Sequence, residues 1–124
     1  NPAIDLGQVE GGFIQGMGWL TTEELWWDAK GRLRTHAPST YKIPPANDRP
    51  DDLRIRLWDK GRNPAATIYR SKAVGEPPFM LALSVFSALS DAVLAAGDYR
   101  TFPALDAPAT PERILAAVNA VRAR

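Results

Sequence analysis

No cysteine occurs among the 124 residues, and histidine occurs once, at His36. A disulfide framework, an iron–sulfur ligand set and a zinc ribbon are therefore excluded from within this chain, and one imidazole cannot build a metal site with itself. A dominant charge is lacking too. Lys and Arg number 15 against 14 Asp and Glu, a formal net charge of +1, so nothing electrostatic argues for nucleic acid or anionic lipid as a partner. No basic stripe alters this, because Arg49, Arg54, Arg56 and Arg62 are interleaved with Asp48, Asp51, Asp52 and Asp59. The first residues, Asn1-Pro2-Ala3-Ile4-Asp5, lack the basic start and apolar core of a signal peptide. The longest uninterrupted apolar run, around Phe79 to Leu83, is far short of the roughly 20 residues that a membrane span needs. The expectation is a soluble, cytoplasmic chain with no membrane and no nucleic-acid partner.

What is present is an ordinary globular composition, 45% apolar, in a length that suits one domain or a piece of a larger one. The start without an initiator Met, running at once into a helical pattern, points to a segment of a longer polypeptide. From about Ala3 to Thr22 the residues Ile4, Leu6, Val9, Phe13, Met17 and Leu20 recur at three- and four-residue spacing, a helical period. The same stretch carries Gly7, Gly11, Gly12, Gly16 and Gly18. Each glycine inside a helix costs about 0.5–1 kcal/mol relative to alanine, so this helix needs tertiary support and implies close approach by another backbone or a ligand.

Beyond it, Leu25-Trp26-Trp27, a polar turn ending at Gly31 and Arg32-Leu33-Arg34 read as a hairpin. Leu53 to Trp58 alternates apolar and charged residues as a half-buried strand does, and Thr40–Ile43 and Ala66–Tyr69 are shorter extended candidates. Met80 to Ala96 predicts a helix stopped by Gly97, and Thr110-Pro111-Glu112 opens a last helix running to about Arg122. The fold class that follows is α+β in one piece, with a Gly-rich N-terminal helix, short strands with a hairpin, and two C-terminal helices.

One carboxylate stands out. Glu76 lies in Ser71-Lys72-Ala73-Val74-Gly75-Glu76-Pro77-Pro78-Phe79. Proline disfavours the helical region for the residue before it, so Glu76 is expected to be extended, just ahead of a helix that begins at about Pro78. Neither proline has an N–H, so the acid cannot be consumed in capping them. A fixed, ionised, uncommitted carboxylate suits a general base; an acid near a helix start is also common for stability alone. Gln15 is read as a buried helix-packing amide, with a second cofactor contact as the alternative, Trp26 and Trp27 as core cover or a subunit contact, and His36 as an ordinary surface histidine.

Three stretches, in order and at fitting separations, carry a resemblance: Asn1-Pro2-Ala3-Ile4-Asp5-Leu6-Gly7-Gln8-Val9-Glu10-Gly11-Gly12-Phe13-Ile14-Gln15-Gly16, then Pro38-Ser39-Thr40-Tyr41-Lys42-Ile43-Pro44, then Ser71 to Phe79. The chain resembles the C-terminal end of the molybdenum-cofactor-binding subunit of xanthine dehydrogenase and xanthine oxidase, at least over residues 1 to about 97. The resemblance implies that residues 1–124 are the C-terminal portion of a larger molybdenum-cofactor-binding domain. It implies that Glu76 is the base that deprotonates a molybdenum-bound hydroxide for attack on a purine carbon, converting hypoxanthine or xanthine to urate. It implies that Gln8 hydrogen-bonds the molybdopterin, and that no residue here ligates the metal directly. FAD and 2Fe–2S clusters are then expected in other domains or subunits, with the rest of the molybdenum-binding polypeptide as partner in a hetero-oligomer, and this segment alone is expected to be inactive. The alternatives are a non-catalytic α+β interaction module and a related aldehyde or N-heterocycle molybdenum hydroxylase.

Overall fold

The computed structural model describes residues 1–123. Helix α1 spans Pro2–Thr21, capped by the Asn1 side chain, which accepts from the Ala3 N–H at 3.1 Å. Helix α2 spans Leu83–Ala96 and helix α3 spans Pro111–Arg122. A six-residue 3-10 segment, Pro77–Ala82, runs straight into α2. In α3 the Thr110 hydroxyl accepts from the Arg113 N–H and Pro111 occupies the first turn, as the sequence predicts.

The glycines of α1 explain how it survives. A β-carbon on Gly12 would stand 2.7 Å from the Gly75 carbonyl oxygen and 3.2 Å from Pro78 Cβ, and one on Gly16 would collide with the Phe79 carbonyl and stand 2.8 Å from Ala82 Cβ. Gly12 and Gly16, one turn apart on one face, thus form a trough in which the backbone of residues 75–82 lies. The Trp19 and Phe79 rings meet beside it with centroids 5.3 Å apart. The close backbone approach inferred from the glycine content is present, and it places the Glu76 segment on α1.

The other end of the chain closes on α2. Val93, Ala117 and Val121 form the small buried cluster, with Leu105, Ile114 and Val118 packed on it. Gly97 is buried because a β-carbon there would stand 2.8 Å from Val121 Cβ. The connector returns to α1: the Ala109 N–H donates to the Leu20 carbonyl at 2.7 Å, and Arg113 pairs with Glu24 at 3.0 Å. The tail from Tyr99 onward is therefore an integral part of the fold.

The strand expectations are corrected. Among the described residues the only bridge is Trp27 with Leu33, antiparallel. The expected hairpin is reduced to its turn, held by Asp28, whose side chain accepts from the Lys30 and Arg32 N–H groups, with Gly31 at φ +73°. Leu53–Trp58, Thr40–Ile43 and Ala66–Tyr69 form no ladder. Residues 68–70 are instead a short 3-10 turn with Tyr69 and Arg70 at positive φ. Alternation prescribes a strand only where a neighbour supplies the other half of each hydrogen-bonded pair, and here none runs alongside. The described fold is helical with long connectors.

The continuous run Pro77–Ala96 has 20 residues and mean hydropathy 1.9, long and apolar enough to cross a membrane by length and composition. Counting only uninterrupted apolar residues misses it. The core helix of a soluble protein passes the same test; here α1 and α3 pack against the run, yet only 11% of the apolar window is buried. Ile4, Trp58, Ile68, Phe102 and Leu115 are also large and exposed, so much apolar surface is left without a partner within the chain.

Candidate functional site

One cleft of about 830 Å³ opens between the first half of α1 and the Gly75–Met80 segment. Its volume is in the range of small-molecule sites, roughly 300–1,000 Å³. Gln8 and Glu76, far apart in sequence, both line it, together with Gly7, Gly11, Gln15 and Phe79. Gly12 and Gly75 are in contact at its floor, and the Gln8 Oε1 lies 3.0 Å from where a β-carbon on Gly75 would stand.

The glycines of α1 divide into two rows. Gly12 and Gly16 receive backbone. Gly7 and Gly11, also one turn apart, have nothing within 4 Å of their absent β-carbons and line the cleft instead. Side chains on that second row would occupy the cavity, so it is a bare cradle along the helix.

Glu76 departs from expectation in its backbone. It is helical, φ −78° and ψ −40°, in spite of the proline that follows. The reason is local: the Phe79 N–H donates to the Glu76 carbonyl at 3.0 Å, closing the first 3-10 turn, and the trough of α1 holds that turn in place. The side chain makes no capping hydrogen bond and enters no ion pair among the described residues; Lys72 does not reach it. It is an exposed carboxylate at the cleft wall.

Gln15 was expected to be a packing amide; it is exposed and lines the cleft. The missed signal was its register, one turn past Gly11 and two past Gly7, on the open row. His36 lies away from the cleft, along with exposed Trp26 and Trp27, whereas Tyr41 and Ile43 of the connector wall a hollow that shares Gly11 and Gln15 with it. At that hollow the Tyr41 hydroxyl donates to Glu23 Oε2 at 2.5 Å, and this bond, ahead of burial and the Glu23 charge, raises the tyrosine pKa above 10.0.

Among the described residues no three His, Cys, Asp or Glu side chains group to hold a metal ion. A metal at this site would be carried by an organic ligand. The residues present fit such a ligand: a bare glycine row lets a flat group rest on the helix, and the amides of Gln8 and Gln15 match N–H and C=O edges.

Comparison with known proteins agrees with this geometry. Residues 1–50 match the family of the molybdopterin cofactor-binding domain. The chain is 50% identical to xanthine dehydrogenase of Oryza sativa subsp. japonica over 98% of its own length and 10% of that protein. It is 52% identical to the xanthine dehydrogenase/oxidase of Rattus norvegicus over 92% of its length and 9% of the relative. Among solved structures, quinoline 2-oxidoreductase from Pseudomonas putida 86 superposes with a TM-score of 0.79 at 33% identity, covering 96% of this chain and 14% of the other. The fold is thus shared with a segment of that oxidoreductase, and its first helix and the connector after it match a molybdopterin cofactor-binding domain. Over nearly its whole length the chain is similar to a segment of xanthine dehydrogenases, of which it spans about a tenth of the length.

Proposed function

We propose that the chain supplies one wall of the catalytic cleft in a xanthine dehydrogenase-type molybdenum hydroxylase, with Glu76 as general base and Gln8 as a contact to the molybdopterin. The observation that carries this reading is that Gln8 and Glu76 line the same cleft beside a bare glycine row. When bound, the molybdenum cofactor supplies the oxygen for transfer and takes up two electrons from the substrate. Glu76 accepts a proton at its carboxylate in that exchange, from a position fixed by the 3-10 turn and the trough of Gly12 and Gly16. Gln8 orients the organic ligand through its amide, and Phe79 and Met80 line the facing wall of the cleft.

The substrate of this reading is a purine, hypoxanthine or xanthine, oxidised to urate. Support comes from identities of 50–52% to xanthine dehydrogenases against 33% to the quinoline enzyme, and from the Pro77-Pro78 context of the acid. FAD and 2Fe–2S centres belong to other domains or subunits of a cytoplasmic assembly, in which residues 1–124 form the C-terminal portion of the molybdenum-binding domain. The rest of that polypeptide covers the exposed apolar surface of α2, as large bare patches on soluble proteins generally meet a partner.

The test is Glu76→Gln in the full-length enzyme. Turnover of xanthine is expected to fall roughly 10²–10⁴-fold, the scale of lost general acid–base catalysis, with molybdenum content unchanged. Near-normal turnover in fully loaded enzyme removes the assignment. Gln8→Ala is expected to lower molybdenum content instead, and unchanged loading counts against that contact.

A further inference from the structure

Gln15 is a polar side chain on the cleft wall for which the functional reading has no use. Gln8 and Gln15 are seven positions apart on α1, so they project from the same face with an axial separation of about 10 Å. Gly11 lies between them with nothing within 4 Å of its absent β-carbon, which lets a flat group lie directly on the helix backbone between the two amides. Gln15 is exposed, and it lines both the main cleft and an adjoining hollow of about 450 Å³ walled by Glu23, Tyr41, Ile43 and Pro44. Its carboxamide, with two donors and an acceptor, makes no hydrogen bond among the described residues. The Gln8 oxygen, by contrast, already rests against Gly75. The opposite wall, with Pro77, Phe79 and Met80, offers apolar contact for a ring face. Two amides on one helix face, bracketing bare backbone and facing an apolar wall, match the edge and faces of a planar ring system.

We infer that Gln15 is a second ligand-binding amide, acting with Gln8 across Gly11 to grip one fused-ring heterocycle that carries N–H and C=O groups along its edge. The inference rests on the reading of this cleft as the cofactor and substrate site. That chemistry is shared by the pterin of the cofactor and by a purine substrate, and the experiment separates the two.

The full-length enzyme carrying Gln15→Ala or Gln15→Glu is purified and assayed for molybdenum and released pterin per chain, for KM and kcat for xanthine per loaded site, and for the melting temperature of the cofactor-free form. A contact to the pterin lowers molybdenum and pterin content together by roughly three- to tenfold, the scale of one neutral hydrogen bond, with KM of the loaded fraction unchanged. A contact to the substrate leaves loading intact and raises KM by a similar factor with kcat little changed. Gln15→Glu, which keeps acceptors and loses the donors, gives the same loss in either case. Unchanged loading and unchanged KM in both variants overturn the inference, as does a loading loss that tracks a fall in the cofactor-free melting temperature. Its failure is distinct from that of the base assignment, because Glu76→Gln acts on kcat with loading and KM intact.

Discussion

The side-chain oxygen of Gln8 lies 3.0 Å from where a β-carbon on Gly75 would stand, so it is this amide that fills the space between α1 and the loop bearing Glu76. The obstacle at Gly75 is the end of a flexible side chain, which can swing aside. Gly75→Ala is therefore expected to change stability by less than about 1 kcal/mol while displacing the Gln8 amide from the cleft. Reduced molybdenum content in the full-length enzyme, with an unaltered melting temperature, is the expected pair of results. Full loading would mean that Gln8 can be moved without consequence.

The two glycine rows of α1 are expected to respond in opposite senses. At Gly12 the obstacle is the Gly75 carbonyl at 2.7 Å, which is backbone and cannot swing away. Overpacking of this kind costs about 1–3 kcal/mol, offset only in part by the roughly 0.5–1 kcal/mol that alanine adds to a helix interior. Gly12→Ala should lower the melting temperature and, by pushing the 3-10 turn off its trough, impair turnover as well. Gly7→Ala and Gly11→Ala meet nothing within 4 Å. They should stabilise the cofactor-free form by about 0.5–1 kcal/mol yet reduce cofactor loading, because each methyl enters the cradle. Thermal melts of cofactor-free protein beside molybdenum analysis distinguish the two rows; a matching response from all three variants would dissolve the distinction.

These rows also show what could be read from the sequence and what could not. Five glycines inside one helical pattern announce close approach, and the caps at Asn1 and Thr110 announce helix starts; both are local signals carried by the residues that act on them. Which glycine meets backbone and which meets empty space depends on the register of residues 75–82 against α1, a tertiary fact that no local pattern encodes. The same limit explains the strands. Leu53, Ile55 and Leu57 alternate with charges as a strand should, but a ladder needs a second chain segment, and among the described residues none pairs with them. At Glu76 the proline rule pointed to an extended residue, and a hydrogen bond from Phe79 overrode it. Gln15 was misjudged because average burial tendencies carry no information about which face of a helix opens on a cavity.

The tail is fastened to the segment just after α1 through Arg113. One guanidinium nitrogen lies 3.0 Å from Glu24 Oε1 and the other donates to the Pro108 carbonyl at 2.8 Å. Both partners of the ion pair are more than a third exposed, so solvent screens it and the pair itself contributes only about 0.2–1 kcal/mol. The carbonyl bond does not depend on Glu24. Arg113→Ala, losing both, should therefore destabilise by about 1–2 kcal/mol, and Glu24→Gln by less than about 1 kcal/mol. A double-mutant cycle on denaturant midpoints measures the difference. Equal costs for the two single variants would place the whole effect in the ion pair.

At the hollow beside Gln15, Tyr41 and Glu23 form a clasp whose strength depends on pH. The tyrosine proton is held by its hydrogen bond to Glu23, then by burial, then by the charge of that carboxylate, and all three raise its pKa above 10.0. The folded state thus keeps this proton to higher pH than the unfolded chain. The resulting stabilisation is complete below about pH 10, the unfolded value, and is lost as pH rises through the folded pKa, where a phenolate would face a carboxylate. Melting temperature should accordingly fall more steeply above pH 10 in the unaltered protein than in Tyr41→Phe. That variant is less stable at neutral pH by about 0.5–1.5 kcal/mol, the worth of one hydrogen bond. Subtracting the alkaline ultraviolet titration of Tyr41→Phe from that of the parent isolates the Tyr41 phenolate, with a midpoint expected above 10. A midpoint at or below that value would show that the 2.5 Å contact does not hold the connector in solution, and the hollow beside Gln15 would then lose its outer wall at neutral pH.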